Sequence, residues 1–341
     1  MKKTLHPWQA NLLMLVCTIV LFFAVIEILL RLTIDNGIPR TPPIYQKSED
    51  PELSYELKPS LSEYAFRSTI ETDRRGLRSS EIHPGKKTVA LLGDSIAFGY
   101  GLENDQTIGA QMNVLLPNTY NIVTAAAPGY SLGQEAALYR TKIAQLHPGT
   151  LVLIFHWNDL TLTQPDILDD DGNLHPPDWV PGTSRCSPMV TGILKMFPGQ
   201  CWLDLHSAFY RTVKKIISAR TEQENALQQT SDLTQDAFDD YVTDDQIQKY
   251  GNELASFSRS LPRDLSRLFV IWPERPLHFA ATADLMTLAK QSGFETLNLY
   301  EVFGNRGETL SWDTVHPSAK TAEEAAAVIV SALRTWDLLP R

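Results

Sequence analysis

The sequence predicts an α/β protein: a mostly parallel sheet covered on both faces by helices, preceded by one membrane-spanning helix. Three observations predict this. Apolar runs of β type recur along the chain, helical patterns separate them, and a long stretch near the N-terminus is almost wholly apolar. Strands alternating with helices imply parallel pairing, because each parallel connection needs a crossover long enough to hold a helix.

The first element is the apolar stretch from Asn11 to Leu32, NLLMLVCTIVLFFAVIEILLRL. A helix of that length spans roughly 30 Å, the thickness of a bilayer's hydrocarbon core. Lys2 and Lys3 precede it, and Trp8 stands at an interfacial position. A cleaved signal peptide would need a shorter apolar core and a small-x-small site. A lipoprotein signal would need small residues before Cys17, where Leu15-Val16 stand. The expectation is therefore an uncleaved signal-anchor over residues 1–34, with residues 11–32 in the membrane. Glu27 is the awkward residue, since a carboxylate in hydrocarbon is costly unless it reaches the headgroups or pairs with Arg31. Lys2 and Lys3 on one side face Arg31, Arg40 and Lys47 on the other, so a charge count does not orient the span. Its resemblance to signal-anchors, and the use of cysteine, favour a single-pass inner-membrane protein with its main domain extracytoplasmic (periplasmic). Cys186 and Cys201 flank one loop; in an oxidising compartment they would pair, in a reducing one they would stay thiols, and both readings remain open.

Residues 35–86 are rich in Pro, Ser, Glu and Tyr without a period, and read as a linker with extended and turn segments ending at His83-Pro84-Gly85. From residue 87 the rhythm changes. Strand-like runs occur at Thr88–Leu92, Tyr120–Ala125, Thr150–Phe155, Arg267–Trp272 and Glu295–Leu299. Helical patterns lie near Asp105–Leu115, Ser131–Leu146, Asp245–Ser260, Ala281–Ser292 and Ala319–Thr335. The interval near residues 160–262 lacks a convincing core strand and reads as a helical insertion in a domain covering residues 87–341, since a structureless loop of that size is uncommon. The net charge of -10 argues against a nucleic-acid surface.

Ligands of such sheets bind beyond the carboxyl ends of the strands. Ser95, in Gly93-Asp94-Ser95, follows the first apolar run and is placed to act as a nucleophile; its bland alternative is a turn capping the next helix. Near the C-terminus, Asp313-Thr314-Val315-His316 puts a carboxylate one turn from an imidazole. Asp313 can hold Nδ1 and leave Nε2 of His316 to take the Ser95 proton. Ser318 or Thr321 can cap the following helix, with Thr321 and Glu324 at capping-box spacing. A rival serine is Ser131, in Gly129-Tyr130-Ser131-Leu132-Gly133, which fits the elbow G-x-S-x-G. Against it, Pro128 interrupts the strand that should lead into the elbow. His147, His175, His206 and His278 show no metal-ligand spacing and read as surface or turn residues, so no metal and no cofactor is expected.

These residues resemble the SGNH, or GDSL-type, hydrolases over about Lys87 to Leu338. The resemblance places the nucleophile of block I at Ser95 and the block II glycine at Gly129, in Ala125-Ala126-Ala127-Pro128-Gly129. It places the block III asparagine at Asn158, in His156-Trp157-Asn158-Asp159, and the acid and base at Asp313 and His316. It implies a three-layer α/β/α sandwich, flavodoxin-like, with about five parallel strands. The oxyanion hole would be built from Ser95, Gly129 and Asn158. His156 stands where the family often has glycine, and Ala125 or Ala126 where it often has asparagine. His156 and Trp157 are candidates for the substrate pocket. Asp73-Arg74-Arg75-Gly76-Leu77-Arg78 resembles a turn found ahead of this domain in membrane-anchored bacterial members. The function so implied is a serine esterase cleaving acyl esters, O-acetyl above all, on an envelope or secreted polysaccharide, or a lipid ester, through an acyl-Ser95 intermediate. An O-acyltransferase with the same triad, and an inactive polysaccharide-binding or assembly protein, are the alternatives.

Overall fold

The computed structural model describes residues 6–33, 42–79, 82–162, 164–170, 172–180, 199–217, 242–274, 278–304, 307–313 and 315–340. The chain divides into two units, Met1–Arg40 with Val180–Glu222, and Thr41–Trp179 with Gln223–Arg341. In the first, α1 (Pro7–Thr33) has no buried residue. It is long and apolar enough to cross a membrane, a property it shares with signal sequences near an N-terminus. The same unit holds α5 (Gln200–His206) and α6 (residues 208–217), numbered along the whole chain. Cys17 is a free thiol and Cys201 is in a disulfide, while Cys186 lies outside the described residues.

The second unit opens with two short antiparallel pairs, β1 (Tyr45–Lys47) with β2 (Tyr55–Leu57) and β3 (Ser62–Ala65) with β4 (Ser68–Glu71). The extended segments expected here are present, but this stretch is more than a tether. Ile44, Leu53, Tyr55, Ile70 and Leu77 are buried in the same core as the main sheet. Their irregular spacing among Pro and Ser gives no period to read, yet each finds an apolar site.

The main sheet has five parallel strands: β5 (Lys87–Gly93), β6 (Tyr120–Ala126), β7 (Thr150–Phe155), β10 (Ser266–Ile271) and β11 (Glu295–Asn298). Their spatial order is β6-β5-β7-β10-β11. Counted from β5, that is the 2-1-3-4-5 order of flavodoxin-like folds, in which the order reverses between β5 and β7 and leaves a crevice there. Every residue of β7 is buried, and β5 is buried from Thr88 to Gly93. Both faces are covered, so these strands read as unbroken apolar runs rather than alternating ones. Burying each such Val, Leu, Ile or Phe contributes about 1.5–3 kcal/mol.

The flanking helices are α2 (Ser95–Phe98), α3 (Ile108–Leu115), α4 (Leu132–Leu138), α7 (Asp244–Ser260), α8 (Phe279–Gln291), α9 (Tyr300–Phe303) and α10 (Ala319–Thr335). Among them α3 packs against α10, while α7 packs against α4 and α8. Polar caps fix their starts. Thr107 accepts from the Ala110 N–H at 3.2 Å, and Ser318 from the Thr321 N–H at 3.3 Å. Ser318, not Thr321, thus caps α10; Thr321 Oγ1 instead donates to the Glu308 carbonyl at 2.8 Å. Within the expected insertion, the described residues hold a small pair, β8 (Ile167–Leu168) with β9 (Leu174–His175), followed by α5, α6 and then α7. The remainder, 181–198 and 218–241, lies outside the described residues.

Candidate active site

Ser95 leaves the C-terminal end of β5, the strand between β6 and β7. Gly93 pairs in register with Ala126 of β6 and with Ile154 of β7. The loops carrying Gly129 and Asn158 therefore begin on either side of Ser95. Gly93 has φ +154°, and a Cβ there would lie 2.7 Å from Ala97 Cβ and 2.9 Å from the Ile154 carbonyl oxygen. Only glycine lets β5 turn so tightly into α2. Asp94 caps that one-turn helix by accepting from the Ile96 N–H at 2.9 Å.

The far end of α2 is held by Arg78, 3% exposed. Its Nη1 donates to the carbonyls of Phe98 at 3.1 Å and Gly99 at 2.7 Å, its Nη2 to Leu102, and its Nε to Asn104 Oδ1 at 2.7 Å. Burial lowers its pKa to about 10, which leaves it cationic against the negative end of the helix. The turn noted at Asp73–Arg78 in the sequence thus supports the loop that follows Ser95.

His316 comes to Ser95 from 221 residues away. Its Nε2 lies 2.9 Å from Ser95 Oγ, and its Nδ1 lies 2.9 Å from Asp313 Oδ2. The other Asp313 oxygen accepts from the Val315 N–H at 2.7 Å and the His316 N–H at 2.9 Å. Burial works to raise the Asp313 pKa, but these three hydrogen bonds, with the electrostatic attraction of the His316 ring, outweigh it and bring the carboxyl to about 2. An ionised Asp313 fixes the proton on Nδ1 and leaves Nε2 as the acceptor. Ser95 Oγ also lies 3.2 Å from Asp94 Oδ2, an alternative for its single proton; the contact with His316 is the shorter. The imidazole stacks on the Tyr100 ring, with centroids 4.2 Å apart and planes at 25°. Nothing in the local sequence distinguished Tyr100; its role depends on the two loops meeting.

Asn158 follows β7 and is oriented by two side chains. Its Nδ2 donates to Asp94 Oδ2 at 2.9 Å, and its Oδ1 faces His156 Nδ1 at 2.6 Å. The carbonyl oxygen of the amide needs a donor, so His156 carries its proton on Nδ1. This pair of contacts sets which way the amide points and leaves its second N–H available. His156 is buried, as is Trp157, which packs on Phe155 and His278 with centroid distances of 5.3 and 4.2 Å. Gly129, at φ +81°, lies in a loop held by Tyr55, whose hydroxyl donates to the Pro128 carbonyl at 2.9 Å. The stretch read as a linker therefore braces one wall of the site. Among the described residues, neither the Ser95 nor the Gly129 backbone N–H has an acceptor.

Ser131, the rival nucleophile, is the N-cap of α4, with Gln134 Oε1 accepting from its N–H at 3.2 Å. Of the other histidines, His175 and His278 are buried rather than surface residues; His175 Nε2 is 2.6 Å from Asp169 Oδ2 and its ring stacks on Trp179. Two further carboxyls are buried, Glu135 of α4 and Asp159, both raised well above the ordinary range, by burial first and then by neighbouring negative charge including Asp94.

No family model matches the sequence, and no curated protein matches it. Solved structures do resemble the fold. A protein named TesA aligns at 13% identity with a TM-score of 0.44, covering 73% of this chain and 99% of its own. A G-D-S-L family lipolytic protein from Desulfitobacterium hafniense aligns at 10% identity with a TM-score of 0.41, covering 73% and 100%. Esterase EstA from Pseudoalteromonas sp. aligns at 10% identity with a TM-score of 0.42, covering 74% and 98%. At such identities and scores these likenesses carry no weight for function, which rests on the site itself.

Proposed function

We propose that the protein is a serine ester hydrolase with Ser95 as nucleophile, His316 as general base and acid, and Asp313 as its orienting carboxylate. The observation that carries this reading is the 2.9 Å approach of His316 Nε2 to Ser95 Oγ, with Asp313 on the other ring nitrogen. In the reaction Ser95 Oγ bonds to the ester carbonyl carbon as its proton passes to His316 Nε2, and the carbonyl pair moves onto oxygen. The Ser95 and Gly129 N–H groups and the Asn158 amide are the proposed donors to that oxyanion; each such donor is worth ~2.7–4 kcal/mol. Collapse expels the alcohol, protonated by His316. Water, deprotonated in turn by His316, then releases the acid from acyl-Ser95.

The finer proposal is a membrane-anchored enzyme with its catalytic unit extracytoplasmic, acting on O-acetyl or other acyl esters of a polysaccharide or lipid. The membrane-span length of α1 supports it. The test is labelling with a fluorophosphonate probe and turnover of short-chain nitrophenyl esters. Ser95→Ala should abolish both and Ser131→Ala should preserve both; the reverse pattern transfers the nucleophile to Ser131. Adding acetylated polysaccharide, with and without acceptor sugars, assigns the natural ester and separates hydrolysis from transfer.

A further inference from the structure

Glu27, the carboxylate that sits uneasily in an apolar helix, has a partner within its own unit. Its Oε2 accepts from Ser207 Oγ at 3.0 Å and from the Phe209 N–H at 2.9 Å, and its Oε1 accepts from the Ala208 N–H at 2.7 Å. Arg31 Nε donates to the same carboxylate at 2.8 Å, and Arg31 Nη2 reaches the His206 carbonyl at 2.5 Å. Beside these, the Phe23 and Phe209 rings meet edge to face at 5.4 Å. The first N–H groups of any helix lack intrahelical acceptors. Here the N-terminus of α6 obtains its acceptor from α1, some 180 residues earlier.

We infer that α1 is retained in the mature protein, and that its Glu27 docks the α5–α6 segment onto the end of the anchor, at the lipid headgroup layer. This rests on the reading of α1 as a membrane span. Cleavage of a leader would strip the Ala208 and Phe209 N–H groups of their acceptor, so the match has a use only if the helix stays. Depth follows from geometry. Residues 8 to 27 rise about 30 Å along a helix, one hydrocarbon thickness. With Trp8 at one boundary, Glu27 stands at the other, where a carboxylate is tolerated; the crossing is then residues 8–27, shifted from the 11–32 expected of the apolar run. The segment it holds also presents apolar groups outward: Trp202 is 63% exposed and Ile216 is 50% exposed. An aromatic and an aliphatic side chain left bare beside the end of an apolar span suit the headgroup–acyl boundary of a phospholipid surface.

The experiment uses the full chain, carrying Cys17→Ser, in bacterial membranes. Intact mass of the purified protein comes first: retention of residues 7–33 is expected, and their loss overturns the span reading and the inference together. Phe23→Cys with Phe209→Cys should then cross-link on mild oxidation, while Leu15→Cys with Phe209→Cys should not. Adding Glu27→Leu should slow the cross-link several-fold. An anchor retained without the cross-link overturns the docking alone. Independently, Ile216→Cys bearing an environment-sensitive fluorophore should be quenched by headgroup spin-labelled phospholipids. Quenching only by a water-soluble agent overturns the placement at the lipid surface.

Discussion

His156→Ala tests how the proposed oxyanion hole is assembled. In the native chain His156 Nδ1 and Asp94 Oδ2 hold opposite ends of the Asn158 amide, at 2.6 and 2.9 Å. Removing Asn158 itself, as Asn158→Ala, deletes a donor and should lower kcat by about 10²–10³-fold. Removing His156 leaves the amide in place but frees one end. The net value of one hydrogen bond is about 0.5–1.5 kcal/mol, so His156→Ala should lower kcat for a nitrophenyl acetate by roughly 2- to 10-fold with KM nearly unchanged. Because both side chains act through one amide, the double variant should be no slower than Asn158→Ala alone. Fluorophosphonate labelling of Ser95 should persist throughout as a check on folding. Two results would refute the reasoning: losses that multiply in the double variant, or a rise in KM at unchanged kcat in His156→Ala. The second would return His156 to the substrate-contacting role that the sequence suggested.

Asp313→Asn should lower kcat by up to about 10⁴-fold, since the amide no longer fixes the imidazole tautomer. Asp313 has a folded pKa of about 2, below its unfolded value, so its stabilisation is present above about pH 4 and is lost as pH falls toward 2. Urea melts should show the wild type losing on the order of 2 kcal/mol more than Asp313→Asn across that window. Arg78→Met strands the carbonyls of Phe98, Gly99 and Leu102. At about 1 kcal/mol or more each, it should lower Tm by about 10 °C by calorimetry, and activity with it. Glu135 has a raised folded pKa, so its ionisation opposes folding increasingly as pH rises above the unfolded carboxyl range. Glu135→Gln should therefore gain thermal stability over the wild type at pH 8 relative to pH 5; an equal difference at both values would refute that account.

The five strands were legible as apolar runs bounded by turns, and the longer helices by their period; the one-turn helices α2 and α9 were not. The meeting of Ser95, Asp313 and His316 was suggested by two short motifs, one at a strand end and one before a helix, where neighbouring residues constrain the side chains. Residues 42–79 were not, since Tyr55 and its neighbours pack without period. Neither the His156–Asn158–Asp94 chain nor the Tyr100 stack on His316 leaves a local pattern.

By itself, then, the amino-acid order determined what depends on neighbours along the chain: strand and helix type, the span-like helix, and the contact between Asp313 and His316 three residues apart. Only the tertiary structure decided which distant groups meet. It set the imidazole of residue 316 against the hydroxyl of residue 95, gave the amide of Asn158 its direction, made Ser131 a helix cap, and supplied Glu27 with the N–H groups of Ala208 and Phe209. Such pairings are fixed by strand register and packing summed over the whole core, which no short window of sequence contains.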